Sequence, residues 1–262
     1  MSLFDLTGKR ALVTGGSRGL GKGFALALAR AGADVVVTAR DTKDLVDTIA
    51  EVEALGRRCW GVALDVRKEE SIEKGVEEAW EVAGGIEILV NNAGCNVRKP
   101  ALEVTWEDWN LVLETNLRGL FFVAQACAKR MVESGSGWGR IINMGSVTCV
   151  NGYAGLAPYG SSRGGVKQLT MSLADDWGPH GITVNCLAPG WFKTAQNAVM
   201  YEDKEWVEYL SDRIPLKRPG ASGDLDGSLV YLASEASGYV TGQTLLVDGG
   251  ISVGAVRAVP KK

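Results

Sequence analysis

The sequence predicts an α/β fold: a single domain over residues 1–262, built as a doubly wound parallel sheet of about seven strands flanked by helices. Three observations point there. Seven short runs rich in Val, Ile and Leu have the composition of strands buried on both faces. Longer amphipathic runs separate them, and repeated β-α-β order makes a parallel sheet with helices on either side. The chain has 262 residues, 46% of them hydrophobic and 23% charged. That suits one ordinary globule, since single α/β domains commonly reach ~250 residues.

Residues 10–14 open the sheet. Thr14-Gly15-Gly16-Ser17-Arg18-Gly19-Leu20-Gly21 follows and runs directly into a helix over 21–31. Gly15 can turn tightly, Gly19 leaves room for a phosphate and Gly21 lets helix and strand approach. The new helix then points its free N–H groups at an anion. The second strand, 34–39, ends in Val37-Thr38-Ala39-Arg40 before a helix over 42–55. The third, 59–64, ends at Asp65-Val66 before a helix over 71–82. The fourth, 86–90, runs into Asn91-Asn92-Ala93-Gly94, and one long helix is expected over 106–133. The fifth, 140–144, leads to Ser146, and Tyr159 opens a helix over 156–177. The sixth, 182–187, reaches Pro189-Gly190, a polar helix over 203–212 follows, and the strand 244–247 precedes Asp248-Gly249-Gly250. Right-handed crossovers bring these strand ends to one edge, where ligands of such sheets bind.

Composition excludes several classes of function. Lys plus Arg number 28 and Asp plus Glu 31, a net charge of -3 with no long basic block, so no nucleic-acid partner is expected. Arg30, Asp34 and Arg40 break the longest apolar runs before the ~18 residues of a membrane span. The first five residues carry no basic start and no apolar stretch, so no secretory signal is expected. Cys59, Cys95, Cys127, Cys149 and Cys186 show no C-x-x-C spacing, which suits reduced thiols and a cytoplasmic setting. The one histidine, His180, lies in a polar turn before the sixth strand and reads as structural. A His-rich metal centre is excluded, a single histidine argues against a His-based triad, and no metal site is expected. Ser146 also lacks the G-x-S-x-G elbow of a serine hydrolase.

The glycine turn, Asn91-Asn92-Ala93-Gly94, Asn116, Ser146, Tyr159, Pro189-Gly190 and Asp248-Gly249-Gly250 together resemble the short-chain dehydrogenase/reductase family, over roughly residues 5–253. The resemblance implies a Rossmann-type sheet, a nicotinamide cofactor and hydride transfer between carbonyl and alcohol. It gives cofactor contacts to Gly15, Ser17, Arg18, Gly19, Leu20 and Gly21. It adds Asp65 and Val66 at the adenine edge, then Asn92, Ala93 and Gly94, then Pro189, Gly190 and Thr194, the last on the carboxamide. An NAD-binding site usually holds the ribose with an acid near the end of the second strand. Here Ala39 stands in the family's place for it, Arg40 follows, and Arg18 lies in the glycine turn. Two guanidiniums favour a 2′-phosphate, so NADP(H) is expected over NAD(H). Asp41 is the residue that could turn toward the ribose instead.

The family uses the matching Ser146 to bind the carbonyl oxygen, Tyr159 to give or take the proton, and Asn116 to hold a proton-relay water. Its pattern is Tyr-x-x-x-Lys, whereas this chain has Tyr159-Gly160-Ser161-Ser162-Arg163. Lys167 lies roughly 12 Å beyond Tyr159 along the helix axis and does not stand in. The family's lysine lowers the tyrosine's pKa, holds the ribose hydroxyls and passes protons. A cation ~4 Å away at an effective dielectric of ~20 is worth about 4 kcal/mol, and arginine supplies that charge. Its five donors also suit the ribose. With a pKa above ~12 it cannot release a proton near neutrality. Hydride transfer with a weakened relay is the expectation. The alternative is a cofactor-binding scaffold or sensor with little turnover.

Cys95-Asn96-Val97-Arg98-Lys99-Pro100 leaves the fourth strand beside the expected nicotinamide. Its two adjacent cations could clamp a carboxylate, Arg98 best because its fork is bidentate. The loop resembles that of gluconate 5-dehydrogenases and related keto-sugar-acid reductases, and residues 191–215 resemble that subgroup's substrate lid. A sugar acid or polyol is therefore the expected substrate, with Arg98, Ser146, Tyr153, Tyr159 and Trp191 around it. Tyr153 would be a pocket wall, and Trp191 a sugar-stacking face or simply core. A 3-oxoacyl carrier-protein reductase is the runner-up. The resemblance also implies a homotetramer, with apolar residues of the helices at 106–133 and 156–177 as candidate interfaces.

Overall fold

The seven apolar runs all become strands: β1 (Arg10–Val13), β2 (Asp34–Ala39), β3 (Cys59–Ala63), β4 (Ile88–Asn91), β5 (Gly139–Met144), β6 (Ile182–Pro189) and β7 (Thr244–Val247). The computed structural model describes residues 2–193 and 198–253. The strands pair in parallel in the order β3-β2-β1-β4-β5-β6-β7. Strand order reverses between β1 and β4, and a crevice opens there above the strand ends.

Alternation along each strand makes two cores. Ala11, Val13, Val35, Val37, Ile88, Val90 and Ile142 face one side, against α1 (Gly19–Arg30), α2 (Val46–Glu53) and α8 (Asp226–Ala233). Leu12, Val36, Leu89, Ile141 and Val184 face the other, against α3 (Glu69–Ala83), α5 (Leu120–Glu133) and α6 (Ala157–Trp177). Both faces of the sheet are dry, which explains why the strand runs are continuously apolar.

Two helices differ from the expectation. The run 42–55 starts as a 3₁₀ turn, Thr42–Leu45, because the Asp41 carboxylate accepts a hydrogen bond from the Lys43 N–H at 3.0 Å and caps it. The long helix over 106–133 is interrupted: α4 (Trp106–Leu113) passes through a π turn, Glu114–Gly119, before α5. A π turn admits an extra residue and commonly marks a functional position. Here it carries Asn116. The expected polar helix 203–212 is α7 (Lys204–Arg213), capped by the Asp203 side chain. Among the described residues no helix is long and apolar enough to cross a membrane.

Candidate active site

The glycine turn between β1 and α1 is held by backbone conformation and by a strap from β4. Gly15 and Gly19 have φ of +65° and +58°, values that side-chain-bearing residues rarely adopt. A Cβ at Gly21 would overlap the Gly15 carbonyl oxygen, whereas one at Gly19 would meet nothing within 4 Å. The turn is thus tight where helix meets strand and open where an anion would sit, at the N-terminus of α1. From the β4 side, Asn92 Nδ2 donates to the Thr14 and Gly15 carbonyls at 3.0 and 3.1 Å. Thr14 Oγ1 accepts from the Asn92 and Ala93 N–H groups, both at 3.0 Å. Leu20 packs against the core, and Ser17 lies half-buried in the turn.

Beside the turn, Arg18 and Arg40 are both exposed, and neither side chain makes a hydrogen bond or ion pair among the described residues. Asp41 is committed to its cap. The glycine turn and the end of β2 thus each present one exposed arginine, Arg18 and Arg40, with no ion pair among the described residues. Asp65 holds Arg67 through its backbone N–H at 3.1 Å and its guanidinium at 3.4 Å. Burial pushes the Asp65 carboxyl up, but the Arg67 bonds and the nearby cations outweigh it and leave it below the ordinary range. Val66 is buried, and a Cβ at Gly119 would overlap its carbonyl oxygen, so the π turn packs directly on this strand end.

Ser146, Tyr159, Arg163 and Asn116 come together around the ends of β4 and β5. Ser146 is 8% exposed, and its Oγ accepts from the Thr148 N–H at 3.2 Å. Its own hydrogen stays available for an incoming oxygen. Tyr159 sits in the first turn of α6, half-buried. Arg163 is 5% exposed, with Nη1 donating to the Met144 carbonyl at 2.7 Å and Cζ 5.0 Å from the Tyr159 ring centre. Its Nη2 is 2.6 Å from the point a Gly94 Cβ would occupy, so a side chain there would press on the guanidinium. Among the described residues Arg163 Nε is buried without a partner. This orphan donor fits the ribose hydroxyls of a dinucleotide. Together with the open turn and the two exposed arginines, it makes the chain compatible with the expected cofactor.

The Asn116 side chain ties the π turn to the loop after β4 and to α6. Nδ2 donates to the Cys95 carbonyl at 2.9 Å and to Ser162 Oγ at 3.1 Å, while Oδ1 accepts from the Cys95 N–H at 2.8 Å and keeps a second lone pair. The two neighbouring cations are divided between different partners. Lys99 Nζ donates to Asp108 at 2.6 Å, and Asp108 also closes the capping box of α4 with Thr105. Arg98 alone stays exposed, with Nη1 3.0 Å from Met200 Sδ and Cζ 6.0 Å from the Trp191 ring centre.

Trp191 is neither core nor a bare platform. Tyr153 packs edge-on at 5.7 Å, Trp206 lies 5.5 Å away, and Tyr201 packs on Trp206 at 5.3 Å. Burial pushes the Tyr201 hydroxyl up to about 12, so it remains a donor throughout the working pH range. Tyr201, Trp206 and Met200 were absent from the sequence-derived site. Their only signal was membership of the expected lid. Pro189 ends β6, and Gly190 packs so closely on Asp248 that a Cβ would lie 2.6 Å from its Cα. Thr194 lies outside the described residues. Among the described residues no group of His, Cys, Asp or Glu could hold a metal.

Comparison with known proteins places this arrangement among oxidoreductases. The family described as Enoyl-(Acyl carrier protein) reductase matches residues 15–252. A gluconate 5-dehydrogenase of Gluconobacter oxydans (strain 621H) is 42% identical over 251 residues, spanning 96% of this chain and 97% of that protein. A 2-dehydro-3-deoxy-D-gluconate 5-dehydrogenase of Escherichia coli (strain K12) is 42% identical over 250 residues, spanning 95% and 98%. The crystal structure of a gluconate 5-dehydrogenase from Burkholderia cenocepacia J2315, in complex with NADP and tartrate, superposes with a TM-score of 0.91. It is 38% identical and covers 95% of this chain and 97% of that one.

Proposed function

The chain belongs to the short-chain dehydrogenase/reductase family, and from that premise we propose that it passes hydride between NADP(H) and the ketone or secondary alcohol of a sugar acid. The observation that carries the reading is the Arg163 guanidinium against the Tyr159 ring, supported by the unspent Ser146 hydroxyl hydrogen and by Arg98, which makes no ion pair among the described residues. Arg18 in the glycine turn and Arg40 after β2, neither in an ion pair among the described residues, would hold a 2′-phosphate and make NADP(H) the preferred dinucleotide. Five free thiols, three of them buried, suit a reducing, cytoplasmic setting. Leu102, Trp106, Trp109 and Phe122, all exposed, supply the apolar faces of a homotetramer.

The glycine turn, Gly94 and Arg163 would hold the dinucleotide, which would supply the hydride donor or acceptor for the carbonyl or alcohol carbon. The chain does the rest. Ser146 Oγ–H and the Tyr159 hydroxyl donate to the substrate oxygen and stabilise the charge that builds on it. Tyr159 then gives its proton to that oxygen as general acid, and oxidation runs the same steps backwards with the tyrosinate as base. Arg163 keeps a permanent positive charge against the Tyr159 ring, which favours the anion left behind, and offers Nε to the ribose. Arg98 grips the carboxylate. An acyl chain would leave that guanidinium unpaired, which disfavours the carrier-protein alternative.

The test is steady-state NADPH and NADH oxidation against keto-sugar acids and plain ketones, with Tyr159→Phe alongside. The expected result is turnover of a keto-sugar acid with NADPH favoured, reduced at least about 10²-fold in Tyr159→Phe. A variant as active as the natural enzyme would remove Tyr159 from the mechanism. Binding of NADP(H) with no turnover of any substrate would favour the sensor reading.

A further inference from the structure

Resting on the sugar-acid reading, the structure assigns a second recognition element to the substrate mouth: a polyol subsite formed by the Trp191 indole N–H and the Tyr201 hydroxyl beside Arg98. Trp191 Nε1 and Tyr201 Oη are both buried and make no hydrogen bond among the described residues. Buried polar atoms are nearly always paired, and an exception calls for a partner the chain does not itself provide. These two flank one ring: Trp206 is 5.5 Å from Trp191 and 5.3 Å from Tyr201, so both orphans belong to one wall. Tyr153 joins that wall at 5.7 Å from Trp191, on the segment that follows Ser146, so the wall adjoins the reacting end.

The donor set names the ligand's chemistry. An indole N–H can only donate, and a guanidinium has no acceptor either. Among the described residues the Arg98 guanidinium hydrogen-bonds only the Met200 thioether, a weak acceptor, and makes no ion pair. Three donors with no acidic partner suit a molecule rich in acceptor oxygens. Arg98 reads the carboxylate, while Trp191 and Tyr201 read hydroxyl oxygens along the carbon chain. A site built to bond a hydroxyl discriminates strongly against an analogue that lacks it, because its own buried groups are then left unpaired. The subsite therefore selects polyhydroxy acids over simple keto acids of the same length.

Tyr201→Phe removes the hydroxyl and keeps the ring. Three quantities are measured on the full-length enzyme: KM and kcat for 5-keto-D-gluconate with NADPH, Kd for D-gluconate by tryptophan fluorescence with NADP⁺ bound, and the thermal midpoint without ligand. KM and Kd should each rise about fivefold, the worth of one neutral hydrogen bond, with kcat unchanged. The thermal midpoint should hold or rise, since no bond is lost in the free protein. Unchanged KM and Kd, or a lower midpoint with KM intact, would overturn the subsite while leaving the sugar-acid activity standing. Gluconate binding that Tyr201→Phe weakens, in an enzyme that does not turn the sugar acid over, would keep the subsite and sink the activity. No gluconate binding by the natural protein would overturn both. Trp191→Phe provides the second variant and should raise the same KM.

Discussion

The Arg163 guanidinium is held from three sides: by the Met144 carbonyl, by the backbone at Gly94 and by the Tyr159 ring. It can stabilise charge, but a guanidinium is poorly suited to passing a proton on. Arg163→Lys, which introduces a cation able to exchange protons, should raise kcat by about tenfold. Arg163→Met, similar in length but neutral, should lower it by about 10²-fold. Both are read in steady-state rates at saturating NADPH, and equal rates in all three proteins would show that the cation does not limit turnover. The identities of these residues were legible in the sequence because motif spacing places Ser146, Tyr159 and Arg163 by number alone. Their bonds were not. The Asn116 amide is claimed by Cys95, and Lys99 by Asp108, through loop paths that no periodicity encodes.

Among the elements, the π turn is the one the sequence concealed. Glu114–Gly119 contains ordinary helical residues, and apolar spacing runs on through it, so a continuous helix was the natural expectation. Two tertiary contacts impose the extra residue: Asn116 reaches across to Cys95, and Gly119 lies flat against the Val66 carbonyl. Gly119→Ala would force a methyl into that carbonyl. It should cost about 1–3 kcal/mol of stability, the usual penalty of overpacking. Because Val66 borders the expected adenine site, the same variant should weaken NADP⁺ binding. Denaturant unfolding and NADP⁺ titration check the two effects, and an unaltered protein in both would show that the contact gives way freely. The glycine turn was legible for the opposite reason: positive φ and close approach are demands on residue type that the sequence displays directly.

Across the whole molecule, the sheet was legible in class and strand count because both its faces are buried, which leaves each strand a short, nearly continuous apolar run. The site occupies the carboxyl ends of the strands, and the opposite edge has its own polar anchor. Asp34, at the start of β2, is 5% exposed and pairs with Arg57 at 2.7 Å and Arg58 at 2.8 Å. Burial alone would push its carboxyl up. The Arg58 backbone and side-chain bonds and the two guanidinium charges outweigh it, so its pKa lies below the ordinary value. A carboxyl lowered on folding stabilises the protein above its unfolded-state pKa. That stability is lost as pH falls from there through the folded value. The thermal midpoint should therefore drop below about pH 4, and Asp34→Asn should flatten that drop. The variant should also cost about 1–3 kcal/mol at neutral pH. A midpoint curve in the variant parallel to the natural one would assign the acid sensitivity to other groups.

The stretch from Asn92 to Cys95 answers to three neighbours in four residues: the glycine turn, the Arg163 guanidinium and the π turn. It therefore behaves as a rigid crank between the dinucleotide crevice and the loop that carries Arg98. A shift of the glycine turn, such as closure around a phosphate, is carried along the main chain to the substrate mouth with nothing soft in between. The same rigidity is a vulnerability. Damage at Thr14 or at Asn116 would reach the other end of the crank, so changes at these two positions would compound instead of adding, and the enzyme would tolerate either far better than both.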